Sequence, residues 1–264
     1  MFLLNPNFYA ALGRKIVDFI ELFGGVARLG LQTITLIPAK PYGAGRVFEQ
    51  AKKIGVDSLP IAGLVAFFIG VIMAMQTAYI MEKMSSEIYI ASIVAVSLTR
   101  ELGPVITALI VAGRSGAGIT AELGTMTVTE QVDALVTLGS NPIKYLVVPR
   151  FLSLTLMLPI LTIFSDAIGI FGGYLIGLYR LSIRSSLYMN MTFQTLVYKD
   201  VFTGLVKTIF FGMLIALIAC YEGLNVRGGA EGVGKATTRS VVNTFIMIIA
   251  ADCFFTALFY FLME

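Results

Sequence analysis

Ser58 to Met81 reads SLPIAGLVAFFIGVIMAMQTAYIM, 24 residues without one Asp, Glu, Lys or Arg. A helix that crosses the hydrocarbon of a bilayer needs about 20 consecutive apolar residues. The stretch therefore predicts a transmembrane helix. Four similar stretches follow: 88–113, broken only by Arg100-Glu101; 151–179, broken by Asp166; 201–221, broken by Lys207; and 240–263, broken by Asp252. The expected fold is an all-α integral membrane protein with five spans, so the termini lie on opposite sides of the membrane.

Composition agrees. Hydrophobic residues make up 57 % of the 264 and charged residues 13 %, about half the charge of a soluble domain. That is too little to cover a surface facing water, which excludes a soluble globular protein. A net charge of +3 gives no argument for nucleic acid as a partner. The chain has no His, so the commonest metal ligand and general base are absent. Cys220 and Cys253 lie in apolar runs and are expected to be packed thiols rather than a metal or disulfide pair.

Positive charge orients the spans. With the N-terminus in the cytoplasm, thirteen Lys and Arg fall inside. Only Lys83, Arg180, Arg184 and Lys199 fall outside. The expected orientation is N-in and C-out.

Ahead of the first span, Arg14, Asp18, Glu21 and Arg28 mark one helical face, and Phe8, Leu12, Ile16, Phe19 and Phe23 the opposite one. This predicts an amphipathic helix lying in the membrane interface, ended by Pro38, Pro41, Gly43 and Gly45. A helix packed against the bundle would show the same pattern. Between spans two and three lies a 37-residue cytoplasmic segment, 114–150. In it Thr127-x-x-Glu130 fits a capping box, and Val128, Val132, Leu135 and Val136 form an apolar stripe. Gly139 and Asn141-Pro142 fit the end of that helix. Such a helix docks either on its own bundle or on a soluble partner.

Gly229-Ala-Glu-Gly-Val-Gly-Lys235 matches the first seven positions of a phosphate-binding P-loop. The eighth is Ala236, where Mg²⁺ coordination needs Ser or Thr, and a span rather than a strand precedes it. The match is read as accidental.

Charged residues inside spans cost about 2.5–3.5 kcal/mol each at the helix centre. Arg100, Glu101, Asp166, Lys207 and Asp252 must therefore pair or face a wet cavity. Adjacent positions point about 100° apart, so Arg100 and Glu101 cannot share one partner. The expected scheme has Glu101 meeting Lys207, and Arg100 meeting Asp252 or Asp166. Either these pairs only lock the bundle or they form the polar centre of a transport path. Gln76 would join that centre, on a face shared with Met73 and Ile80. The unbranched methionines suit either ordinary packing or a flexible apolar ligand.

The stretches RELGPVITALIVAGRSGAGITAELGTMTVTEQVDALVTLGSNPIKYLVVPR, 100–150, and GAEGVGKATTRSVV, 229–242, resemble the MlaE-type permease family, as does FIGVIMAMQTAY, 68–79. Members are membrane subunits of ATP-binding cassette transporters that work with MCE-domain proteins in lipid trafficking. The resemblance implies two parts: 1–45, interfacial helix and linker, and 46–264, permease domain. It implies a homodimer, a cytoplasmic ATPase dimer that holds ATP and Mg²⁺, a periplasmic MCE-domain protein, and a small STAS-type cytoplasmic subunit as a further partner. No cofactor or catalytic residue is expected in this chain. Lipid, as phospholipid, is the implied substrate, and a bacterial inner membrane the implied location. Arg100, Glu101, Lys207 and Asp252 match positions tied to function in the family, and Met73, Gln76 and Ile80 fall on a span lining its lipid cavity. Glu122, Thr127, Glu130, Gln131, Val132, Asp133 and Leu135 lie where the ATPase would dock. The competing expectation is a secondary transporter or proton relay through Glu101, Lys207 and Asp252. Five spans without an internal repeat weigh against it.

The orientation predicts that a cysteine placed after Phe261 is labelled by an impermeant thiol reagent from the periplasmic side, and one near Lys15 only after permeabilisation. The reverse pattern would invert the topology.

Overall fold

The computed structural model describes residues 6–38, 43–84 and 86–263, apart from the side chains of 6–16, 18, 19, 262 and 263. Among these residues all regular structure is helical. Helix α1 covers Pro6–Leu36 and α2 Ala44–Lys83. The next run is continuous from Glu87 to Val128. It comprises a short 3₁₀ turn, α3 (Ile90–Ser97), a π-helical segment (Leu98–Leu102), α4 (Gly103–Val111), a second π segment (Ala112–Gly116) and α5 (Ala117–Val128). Then come α6 (Gln131–Thr137), a third π segment (Ile143–Val147) leading into α7 (Val148–Tyr179), α8 (Ser185–Thr195), α9 (Tyr198–Leu224) and α10 (Gly229–Met263).

Five helical runs are long and apolar enough to cross a membrane, each containing one predicted span. The helices overrun the apolar stretches: the second run ends at Val128 and the third starts at Ile143. Charge marks where hydrocarbon stops, whereas a helix stops at a capping signal, so most of segment 114–150 is helical.

Helices α2 and α7 form the most extensive pair. Gly70 lies against the backbone of Gly169 so closely that a Cβ at position 70 would overlap its carbonyl. This is the small-residue contact that lets membrane helices approach. The main core joins Ile54, Leu123, Leu154, Leu158, Phe211 and Ile215 at one end of the bundle. A smaller cluster around Ala74, Ile90 and Val94 closes the other.

Helix α1 packs on α9. Leu22, Leu29 and Thr33 are buried and Glu21 and Arg28 exposed, while a third stripe, Val17, Ile20, Leu31 and Ile34, is apolar and uncovered. The helix thus has a bundle face and a separate apolar face. Phe8, Leu12, Arg14, Ile16, Asp18 and Phe19 lie outside the described side chains, and Pro41 outside the described residues.

The capping box does not form. Thr127 is still inside α5, its hydroxyl donating to the carbonyls of Leu123 and Gly223. Glu130 is the left-handed residue, φ 60°, between α5 and α6. The end of α6 is as expected: Gly139, φ 74°, donates to the Val136 carbonyl and Ser140 to that of Leu135, which is a Schellman closure. Asn141 Oδ1 then accepts from the amides of Ile143 and Lys144 and opens the next helix. Gly229–Lys235 forms the first turns of α10, with Lys235 paired to Glu231 at 2.6 Å.

Only 11 % of the apolar window of α10 is buried, against 33–61 % in the other four runs. Cys220 is buried, but Cys253 lies on this uncovered face, contrary to the expectation for packed thiols.

Leucine at position 70 would have to push α2 off α7. Gly70→Leu is expected to lower stability by at least the 1–3 kcal/mol typical of overpacking, read as a lower melting temperature of the detergent-solubilised protein. An unchanged melting temperature would contradict the α2–α7 contact.

Candidate functional site

The π segment Leu98–Leu102 presents Arg100 and Glu101. Two features of the sequence place it. Pro104 has no N–H to offer the Arg100 carbonyl four residues back, so that oxygen is left for another donor. On α9, Gly204 lies against the Thr99 carbonyl with no room for a Cβ, which brings Lys207, one turn on, to the π segment.

Lys207 is 1 % exposed. Its Nζ donates to Glu101 Oε2 at 2.6 Å, to Thr256 Oγ1 at 2.7 Å and to Asp252 Oδ1 at 2.9 Å; the Arg100 carbonyl lies at 3.3 Å. An ammonium has three protons, so the three short contacts satisfy it and the freed carbonyl supplements them. Thr256 Oγ1 also lies 3.1 Å from Glu101 Oε2. One buried cation thus joins span two, α9 and α10.

The expected Glu101–Lys207 pair is present. The rest of the pairing scheme is corrected. Asp252 joins Lys207, and Arg100 meets Asp200 near the start of α9, Nε to Oδ1 3.7 Å. Asp166 takes no part: its Oδ1 is buried without a partner against Gly103. Thr256 and Asp200 were missed. Thr256 stands four residues after Asp252, on the same helical face, and that spacing was a usable signal. No spacing links Asp200 to Arg100. The Met73–Gln76–Ile80 face divides: Met73 packs into the small core cluster, whereas Gln76 and Ile80 point outward.

A second ionic cluster lies at the other end of span two. Glu122 on α5 accepts from the buried Arg150 of α7 at 2.8 Å and from Lys53 of α2 at 3.2 Å. Arg150 also donates to the Leu146 carbonyl at 2.7 Å, while its Nε has no partner. Nearby, Arg114, within the second π segment, donates to Ser58 Oγ at 3.0 Å and faces Asp57 at 3.6 Å. Val132 and Leu135 of α6 are half-buried and pack against the main core, so this part of the stripe meets its own bundle. The side chains exposed on α6 and at its two ends are Glu130, Gln131, Asp133, Ala134, Val136, Thr137 and Leu138, the last 79 % exposed.

This geometry defines a helical membrane protein with an ionic cluster inside its spans and a short exposed helix at one end. The chain belongs to the family described as Permease MlaE, which residues 47–258 match. It is 42 % identical over 254 residues to a probable ABC transporter permease protein of Rickettsia conorii, covering 96 % of this chain and 98 % of the relative. It is 41 % identical to one from Synechocystis, over 80 % and 81 % of the two chains. It is also 33 % identical to the intermembrane phospholipid transport system permease protein MlaE of Haemophilus influenzae, over 96 % and 98 %.

The two acidic sets of segment 114–150 separate by experiment. Glu122→Ala strands the buried Arg150 guanidinium and is expected to cost about 3 kcal/mol, the low end for a broken buried pair, since Glu122 is partly exposed. Charge reversal at Glu130 and Asp133 is expected to leave the melting temperature unchanged. Equal loss of stability in both variants would refute the assignment.

Proposed function

We propose that this chain is the membrane-spanning subunit of an ATP-driven transporter that moves phospholipid between a bacterial inner membrane and a periplasmic MCE-domain carrier. The observation that carries this reading is Lys207, an ammonium held inside the spans by carboxylates from two other helices. Such a costly group is retained where it works. The relative from Haemophilus influenzae, named for intermembrane phospholipid transport, supports the choice of cargo.

The uncovered face of α10 fits a second copy of the chain, giving a homodimer with the cargo held between copies near Gln76 and Ile80. The exposed part of α6 fits a cytoplasmic ATPase dimer: Leu138 and Val136 offer apolar contact, Glu130 and Asp133 offer charge. ATP and Mg²⁺ belong to that partner. Span two carries Glu101 at one level and Glu122 and the turn into α6 at another, so movement of α6 reaches the Lys207 cluster along one helix. A cation shared by two carboxylates has more than one stable pairing, and such a two-state element is what coupling between distant sites requires. In this orientation α6 is cytoplasmic and α8 periplasmic.

Glu101→Ala and Lys207→Ala are each expected to abolish lipid transfer and to impair assembly, because breaking a buried pair costs about 3–5 kcal/mol. The deciding variant replaces the whole cluster, Glu101→Leu with Lys207→Met and Asp252→Leu, and leaves no lone charge. It is expected to assemble with the ATPase and hydrolyse ATP but to move no lipid between vesicles and the carrier. Normal transfer by this triple variant would show that the cluster is only structural.

A further inference from the structure

Between α7 and α8 lies a cavity of about 530 Å³ that shares no residue with the Lys207 cluster. Its size falls within the roughly 300–1,000 Å³ of small-molecule sites. Two anchors fix its walls. Tyr188 of α8 is 1 % exposed, with its ring edge-on to Tyr174 of α7 at 5.5 Å. At the far end of α8, the hydroxyls of Thr195 and Ser92 of α3 are hydrogen-bonded at 2.7 Å.

The lining is polarised. Phe171, Met189, Phe193 and Leu196 make most of the wall apolar. The Thr192 hydroxyl, although on the wall, donates its proton to the Tyr188 carbonyl. The hydroxyls of Tyr174 and Ser185 meet at 2.8 Å and mark a polar edge where α8 begins. Arg184 immediately precedes Ser185, and Arg180 ends α7 four residues earlier. Both are exposed, and neither is ion-paired among the described residues. A neutral hydrocarbon would leave these guanidiniums without a role, and a free anion would leave the apolar wall without one. An amphiphile with an acyl chain and an anionic head uses both.

We propose that the α7–α8 chamber holds one acyl chain of an anionic phospholipid, whose phosphate lies beside Arg184 and Arg180. The site requires only that the chain sit in a bilayer, so it stands whether or not the Lys207 cluster moves lipid. Its lining includes no residue of α10 and neither Gln76 nor Ile80.

The test is native mass spectrometry of the full chain in detergent, titrated with phosphatidylglycerol or with phosphatidylcholine of the same acyl chains. The expected result is one phosphatidylglycerol retained per chain in preference to phosphatidylcholine. Each guanidinium contributes about fivefold to that preference, the size of one basic residue's attraction to an anionic lipid surface. Arg180→Gln with Arg184→Gln, both exposed and outside the packed core, is expected to abolish the preference while the melting temperature stays unchanged. Ala167→Trp, which fills the chamber from its wall, is expected to lower retention of both lipids. Equal retention of the two lipids by the unmodified chain would overturn the proposal. So would a preference that survives in the double glutamine variant.

Discussion

An ammonium inside a membrane leaves the chain little freedom. Lys207 cannot meet water, so oxygens from other helices must be brought to it, and three helical runs are positioned by that need. Span two supplies Glu101 and a carbonyl that Pro104 has released. Helix α10 supplies Asp252 and Thr256, one turn apart. Helix α9 approaches because residue 204 has no side chain. Each of these is a local property of the sequence, and they make sense together only around the cation. Removing either carboxylate leaves charge uncompensated in a medium that does not solvate it.

The other end of span two is organised by the opposite charge. Glu122 stands between the buried Arg150 and the exposed Lys53 and ties α5 to α7 and α2. The same helical run is therefore held at one level by an anion meeting a lysine of α9, and at another by an anion meeting cations of its neighbours. Val132 and Leu135 of α6 lie back on this base, which leaves Val136, Leu138 and the charged edge exposed.

Much of this was legible in the chain. Apolar length, unbroken in the first span and broken by one charge or one charged pair in each of the others, marked all five spans, because hydrocarbon thickness imposes a length that sequence displays directly. The Glu101–Lys207 pair followed from charge cost alone. Helix ends were less legible, since Thr127 and Glu130 fit a capping box by spacing yet sit on either side of a break that tertiary packing sets. The partners of Arg100 and Asp252 were misassigned for a different reason. Arg100 and Glu101 do meet different partners, as the angle between neighbours requires, but Lys207 takes both carboxylates and Arg100 turns to Asp200. Asp200 lies near the first turn of the next helix to reach this level of the bundle, and nothing in linear spacing points to it. The division of the Met73–Ile80 face depended on which side α7 occupies, a fact of packing rather than of periodicity.

A π turn is to a helix what an edge dislocation is to a crystal: one extra unit accommodated by a local fault while order persists on both sides. Span two contains two such faults, at Leu98–Leu102 and Ala112–Gly116. A dislocation glides by exchanging a few bonds at its core, without breaking the lattice. A π fault that passed its extra residue to the adjoining turn would do the same, swinging the side chains it crosses by about 100° while both helix ends stay in place. The first fault carries Arg100 and Glu101, and the residues to which they bind, Asp200 and Lys207, both belong to α9. A fault that moved along span two would therefore release both of these contacts to α9 at once, while the helix ends stay in place.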